Sequence, residues 1–194
     1  AIEALGQAMA RAAGQGDLMR LKLAVPPLFA SFRLMPRLGA LRALHPDFHI
    51  DIDTRPHALA RLDEGLDAAI ALAREADPSL YSVRLGSNRV VAIGGQALAR
   101  LRHPAEIAGT TFLLPPDLPD AFDYWREAVG LPGLEPAAVD LFDSGQLILD
   151  AAAQGLGIAF MFELHLEGAH DRRLHRLFDV AVESPYSYWF ACRR

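Results

Sequence analysis

The chain has 194 residues, 52% of them hydrophobic and 22% charged, which is ample apolar material for a packed core and the wrong balance for disorder. At roughly 100 to 200 residues per domain, the length allows one large or two small domains and excludes a long multidomain machine. Lys and Arg number 19 against 24 Asp and Glu, a net charge of -5, so no basic field is available to hold phosphates and nucleic acid is a poor direct partner.

Residues 2 to 13 place Ile2, Leu5 and Met9 at helical spacing before Gly14 to Asp17 break the pattern, which predicts a short amphipathic helix. Its apolar stripe suits either a capping helix of this domain or the end of a connecting or dimerising helix. Leu21 to Val25 reads as a strand stopped by Pro26 and Pro27. Leu28, Phe32, Met35, Leu38, Leu41 and Leu44 then recur near helical spacing up to His45-Pro46-Asp47. Phe48, Ile50 and Ile52 alternate with His49, Asp51 and Asp53, a half-buried strand, followed by a short helix over Ala58 to Gly65 and a strand over Ala68 to Ala73.

A further strand is expected at Val90 to Ile93, with a domain crossing at Gly94-Gly95. Beyond it come a small helix, a strand at Thr111 to Leu114, a proline-rich break at Pro115 to Pro119 and an aromatic helix over Phe122 to Val129. A strand at Val139 to Phe142, a helix over Gln146 to Gln154 closed by glycine, and a strand at Ile158 to Phe162 complete a repeat of the first half. Strands alternating with helices predict right-handed crossovers and mainly parallel sheets in two small α/β lobes. In the tail, Leu174 to Phe178 and the alternating Tyr186, Tyr188 and Phe190 are placed to return to the first lobe's sheet.

Ligands of open α/β sheets gather beyond the carboxyl ends of strands, where helix N-termini present free N–H groups and partial positive charge. Pro26-Pro27-Leu28-Phe29 and Asp143-Ser144-Gly145 both fit this rule. On facing lobes they would suit a small anion. Taken alone, Asp143-Ser144 reads first as an ordinary helix cap.

Enzyme signatures are missing. Seven histidines show no HExxH or HxH spacing, Gly155-Leu156-Gly157 follows a helix instead of a strand, and Ser144 has no GxSxG elbow. No catalytic residue, metal or cofactor is therefore expected. The single Cys192 cannot form an intrachain disulfide and points to a reducing, cytoplasmic compartment. Every apolar run falls short of the roughly 18 residues that span a bilayer, so no membrane association is expected. Trp125 with Phe122 reads as core, and Trp189 with Tyr186 and Tyr188 as a strand with one buried face.

In order and spacing, Leu21 to Ala30, Leu34-Met35-Pro36-Arg37-Leu38, His45 to Ile52, Glu64 to Ile70, Asp143-Ser144 and Ala151 to Ala159 resemble the effector-binding domain of LysR-type transcriptional regulators across about residues 17 to 194. The resemblance implies an α/β fold of two Rossmann-like lobes joined by two crossovers, similar to type II periplasmic binding proteins, with a small-molecule effector in the interlobe cleft. Lobe I would comprise residues 17–93 and 165–194, lobe II residues 94–164, and residues 1–15 the end of a linker helix. An N-terminal winged helix-turn-helix would precede them and carry DNA binding, in keeping with an excised chain that has no initiator Met. Homo-oligomerisation through antiparallel dimers of effector domains is also implied, the Leu28 to Leu44 helix meeting the partner's Gln146 to Gln154 helix.

Family ligand positions carry over to Pro27, Leu28, Phe29, Thr54, Arg55, Ala71, Leu72, Asp143 and Ser144. Many members have Ser or Thr in the first loop and Arg in the third strand where this chain has Leu28 and Ala71, which implies a more apolar pocket. Pro26 to Ala30 look most like the subgroup that includes the glycine-cleavage and β-lactamase activators. A free-standing solute-binding protein of a transport system is the rival reading; it shares the cleft but requires export.

Overall fold

The computed structural model describes residues 19–116, 118 and 120–194. The helix expected over residues 2–13, and with it the linker reading of residues 1–15, lies outside the described residues. The chain divides into two compact units, one running up to Ser87 and resuming at Pro185–Arg194, the other spanning Asn88–Ser184.

The first unit holds a sheet of β1 (Met19–Ala24), β2 (Phe48–Asp53), β3 (Ala68–Ala73), β4 (Tyr81–Arg84) and the C-terminal strand β11 (Ser187–Cys192), in the order β2-β1-β3-β11-β4. β1 lies parallel to both β2 and β3, while β11 runs antiparallel to β3 and β4. The aromatic tail therefore does return to the first sheet, whereas Leu174 to Phe178, expected to return with it, stays in the second unit, where Leu174–Arg176 pairs with residues 93–95. Ser187 and Tyr188 are both buried, as are Phe190 to Cys192, so β11 is covered on two faces instead of the expected one. Trp189 stays half-buried because its indole N–H donates to the Ala73 carbonyl at 3.2 Å.

The apolar spacing from Leu28 to Leu44 predicts one helix with one inward stripe, and here the structure differs. An α-helical turn, α1 (Pro27–Phe29), passes through a π-helical segment, Ala30–Leu34, into α2 (Met35–Leu44). The Met35 N–H bonds back to the Ala30 carbonyl, five residues earlier. That extra residue per turn rotates the helix surface, so Leu28, Phe29, Ala30 and Leu34 are buried while α2 buries nothing. Pro36 supplies the reason, since its ring crowds the preceding turn and it has no N–H to donate. Among the described residues, the helix over the opposite face of the sheet is a 3-10 helix, Ala60–Glu64, which packs Leu62, with the following Leu66, on Ala24 and Ala69.

The second unit holds β5 (Arg89–Gly95), β6 (Thr111–Leu114), β7 (Ala138–Leu141), β8 (Ile158–Phe162) and β10 (Val182–Glu183) in the order β10-β5-β8-β6-β7, with β9 (Leu174–Arg176) also on β5. Its helices are α3 (Ala121–Ala128), α4 (Gly145–Ala153) and α5 (Glu163–Ala169). Because Val90 to Ile93 pair with Phe162 to Ala159, and residues 93–95 with β9, β5 belongs to this sheet. The change of unit thus falls after Ser87 and again after Ser184, not at Gly94 and residue 164.

Aromatic packing fills the second core. Phe112, Phe122, Trp125 and Phe160 stack with ring centroids 4.7 to 5.2 Å apart, and Trp125 is fully buried. Two glycines permit the close approach of backbone. A Cβ on Gly157 would stand 2.5 Å from the Thr111 carbonyl, and one on Gly95 2.8 Å from that of Ala152, which shows α4 lying against the Gly95 face of the sheet.

Candidate functional site

In the first unit the chain leaves β1 for β2 on one side and returns to β3 on the other, making β1 the point where strand order reverses. At its carboxyl end Pro26 is extended (φ -57°, ψ 136°) and Pro27 opens the helix where a missing N–H is no loss. The first helical bond is donated by the Ala30 N–H to the Pro26 carbonyl at 2.9 Å, so the N–H groups of Leu28 and Phe29 precede the ladder. Both side chains are buried, with the Phe29 ring 4.6 Å from that of Tyr188. This corner therefore offers backbone donors, and Leu28 serves as packing.

The Val25 N–H donates to the Asp53 carbonyl at 2.9 Å, which carries the β1–β2 ladder up to exposed Thr54 and Arg55. Ala69 is the last β3 residue paired with β1, opposite Ala24, so half-buried Ala71 and Leu72 run on past the end of β1. Pro27, Leu28, Phe29, Thr54, Arg55, Ala71 and Leu72 thus gather at one end of one sheet.

Arg55 is not waiting there unpaired. Its guanidinium grips Asp53 through Nη2 at 2.6 Å and Nε at 3.1 Å, and its own backbone N–H donates to the same carboxylate at 2.9 Å. Arg61 grips Asp53 from the other side and is nearly buried, whereas the Arg55 side chain is 71% exposed. Hydrogen bonds from Arg61 first and Arg55 second hold the Asp53 carboxyl far below the ordinary carboxylate range, and Asp53 in turn raises both guanidinium groups. The sequence reading missed Arg61, which lies six residues past Arg55 on the 3-10 helix. These groups, with Lys22, Asp51 and Glu64, line a groove of about 310 Å³ over the β1–β2 face.

In the second unit β6 is the reversal strand, parallel to β7 on one side and β8 on the other. Ser144 caps α4: its Oγ accepts from the Leu147 N–H at 3.4 Å and its carbonyl from the Ile148 N–H at 3.1 Å. Asp143 is exposed beside it. The Phe142 N–H donates to the Leu114 carbonyl at 3.2 Å, fixing this helix start next to the end of β6. Leu114 and buried Pro115 occupy the reversal point itself, and the sequence reading passed over them. The signal was present, because Leu113-Leu114-Pro115-Pro116 repeats the pattern of Ala24-Val25-Pro26-Pro27.

Among the described residues no group of three or more His, Cys, Asp or Glu side chains could hold a metal ion, and no helix is long and apolar enough to cross a membrane.

Two sheets, each reversing strand order at a central parallel strand that ends on proline, define a two-unit ligand-binding architecture of the type II periplasmic-binding kind. Residues 14–194 match the LysR substrate binding domain, and the chain belongs to that family. The HTH-type transcriptional activator AmpR of Rhodobacter capsulatus is 31% identical over 185 residues, covering 93% of this chain and 62% of the relative. AmpR of Pseudomonas aeruginosa is 31% identical over 163 residues, 80% of this chain and 53% of the relative. The chain thus spans less than two thirds of the length of these relatives. Of solved structures, the AmpR effector binding domain from Citrobacter freundii superposes with a TM-score of 0.81 at 25% identity, over 90% of this chain and 88% of that one. The effector domain of AmpR from Pseudomonas aeruginosa gives 0.78 at 26% identity, over 90% and 85%.

Proposed function

We propose that this chain is the sensing domain of a LysR-type transcriptional regulator. A small anionic or amphipathic metabolite is held by the helix start at Leu28 and Phe29, by Thr54, Arg55, Ala71 and Leu72 beside it, and by the helix start at Asp143 and Ser144. The observation that carries this reading is the family match over residues 14–194. Support comes from each unit presenting a helix start at the carboxyl end of its parallel strands, the arrangement that binds anions through backbone N–H groups. Differential affinity of the metabolite for two arrangements of the protein then shifts the regulator between states.

DNA contact belongs, on this reading, to an N-terminal winged helix-turn-helix of the full-length protein, and the acidic charge of the present chain agrees with that division of labour. Two copies pair by two-fold symmetry, α2 of one against α4 of the other. Exposed Met35, at 40%, and Leu44, at 76%, on α2 and Leu147, at 51%, on α4 favour it. Cys192 is buried and its thiol pKa is raised by burial, an inert thiol that suits a cytoplasmic protein. The transport reading is set aside because the matched relatives are helix-turn-helix activators.

Thermal shift and calorimetry across a panel of carboxylates and amino acids test the proposal. At least one compound gives saturable stabilisation, weakened by Arg55→Ala and by Ser144→Ala in a chain that still folds. Normal binding by both variants would remove these residues from the site, and a panel without any binder would count against the sensing role.

A further inference from the structure

Of the 19 Lys and Arg residues in this chain only Lys22 is a lysine, and it stands within β1, lining the β1–β2 groove. Its neighbours Leu21 and Leu23 are fully buried, and the pleat turns Lys22 to the opposite face, where it is exposed. The register sets Asp51 of β2 directly beside it, a cross-strand pair of opposite charge. Asp51 instead takes Arg20 at 2.7 Å. Asp67 accepts the Lys22 backbone N–H at 2.8 Å, which ties down the strand and not the ammonium. Among the described residues no carboxylate forms an ion pair with the Lys22 side chain.

The other charges of the groove are engaged with one another. Asp53 is held by Arg55 and Arg61, and Glu64 lies 3.5 Å from the Arg61 Nε. Arg61 gives both terminal nitrogens to Asp53. Arg55 gives Nε and Nη2 to the same carboxylate and keeps Nη1 for solvent. Every carboxylate of the groove thus has its cation, while two cationic donors remain open: the Lys22 ammonium and one corner of the Arg55 guanidinium.

Two separate donors of this kind favour one class of acceptor. A planar carboxylate is gripped best by the paired N–H fork of a single guanidinium, and Arg55 already gives its fork to Asp53. A phosphate spreads three oxygens over a tetrahedron and can accept from a point-like ammonium and from a separate N–H corner together. The groove of about 310 Å³ has room for more than the phosphate, with Gly65 and Leu66 forming part of its wall.

We propose that the β1–β2 groove is a second ligand site, taking a small phosphomonoester whose phosphate bridges Lys22 and Arg55 while its organic part lies along Gly65 and Leu66. Asp53 and Arg61 are positioning residues: Asp53 orients Arg55, and Arg61 offsets the Asp53 charge so that Arg55 keeps a net attraction for an anion. The site lies wholly within the first unit and does not depend on the helix starts at Leu28 and Ser144. It gives the domain a second chemical input beside the metabolite proposed above.

Amide NMR on the purified chain tests the site, at fixed ionic strength because exposed charges are screened. The probes are inorganic phosphate, glycerol phosphate and acetate. Both phosphates give saturable shifts at the amides of Lys22, Gly65 and Leu66, glycerol phosphate binds the more tightly, and acetate binds at least about tenfold more weakly than either. Lys22→Gln, checked by circular dichroism for an intact fold, weakens both phosphates at least about tenfold, and Lys22→Arg, which keeps the charge, recovers most of the loss. Because Lys22 is the only lysine, reductive methylation with a carbon-13 label, which also keeps the charge, adds one side-chain signal that shifts as phosphate binds. Amide shifts that drift without saturating, shifts unchanged in Lys22→Gln, or a methyl signal that stays still would refute a site built on Lys22. Acetate binding as tightly as phosphate would refute the phosphate class. Either result leaves the reading of the helix starts as it stands.

Discussion

The two units share one strand plan and reach stability by different means. Each places a central parallel strand between two parallel neighbours and adds an antiparallel strand beyond, as β2-β1-β3-β11 and β7-β6-β8-β5. In the second unit α3 brings an aromatic cluster onto the sheet and α4 packs Ile148, Leu149, Ala151 and Ala152. In the first unit one connection is a helix whose last ten residues bury nothing, and the other is a five-residue 3-10 helix. The β2 face is consequently left to charged groups, with Asp53 clamped between two guanidinium groups. The same topology can thus be closed by a dry core or, where a helix is too short to cover a strand, by an ion-paired surface.

The largest break of that comparison is expected from Trp125→Ala, which empties the centre of the aromatic cluster and costs about 3–5 kcal/mol. Hydrogen exchange read by peptide should show protection lost first within residues 88–184. Next, Gly157→Ala would drive a Cβ onto the Thr111 carbonyl; a cost of about 1–3 kcal/mol should appear as a lower Tm, whereas Gly39→Ala, inside α2 with no atom within 4 Å, should leave Tm unchanged or raise it slightly.

His165 sharpens the comparison by pH. Burial pushes its pKa from 6.5 down to about 3, so the folded second unit holds it neutral where the unfolded chain would take up a proton. Its contribution is full above pH 6.5 and is lost as pH falls toward 3, and His165→Phe should flatten the fall in Tm between those limits. Asp53 behaves differently in the first unit. Its folded pKa lies below the ordinary 3.8, so its contribution is complete above that pH and is lost only in stronger acid; Asp53→Asn should lower Tm at pH 7 and remove that acid limb. The smallest change belongs to Ser144→Ala, where loss of the α4 cap costs about 1 kcal/mol and Ser144→Asp should restore it in a urea titration.

Strands with clean alternation or short apolar runs were legible in the sequence: Ile158 to Phe162 is a continuous apolar run that is buried throughout, and Phe48 to Asp53 forms a strand as its alternation predicts, although exposed Ile52 and half-buried Asp53 depart from the expected burial. Helix spacing over residues 28–44 misled about burial, since a π turn ahead of Pro36 changes which side chains face inward. α5 escaped notice because its seven residues bury only His165. β4 escaped although Tyr81, Val83 and Leu85 alternate, a four-residue signal that only its pairing with β11 makes stable. For the candidate site, the helix starts at Pro27 and Ser144 were readable from proline and capping chemistry. The engagement of Arg55 by Asp53 was visible only as a two-residue spacing, and Arg61 joins it through a helical return that no local pattern encodes.

The central claim, that backbone N–H groups at two helix starts hold the metabolite, is tested most directly by amide NMR during titration with the compound that most raises Tm. The account predicts saturable shifts at the amides of Leu28 and Phe29 and at those of Gly145 and Gln146, with one dissociation constant. Shifts confined to Lys22, Arg61 and Gly65 around the β1–β2 groove, with those four amides unmoved, would contradict it.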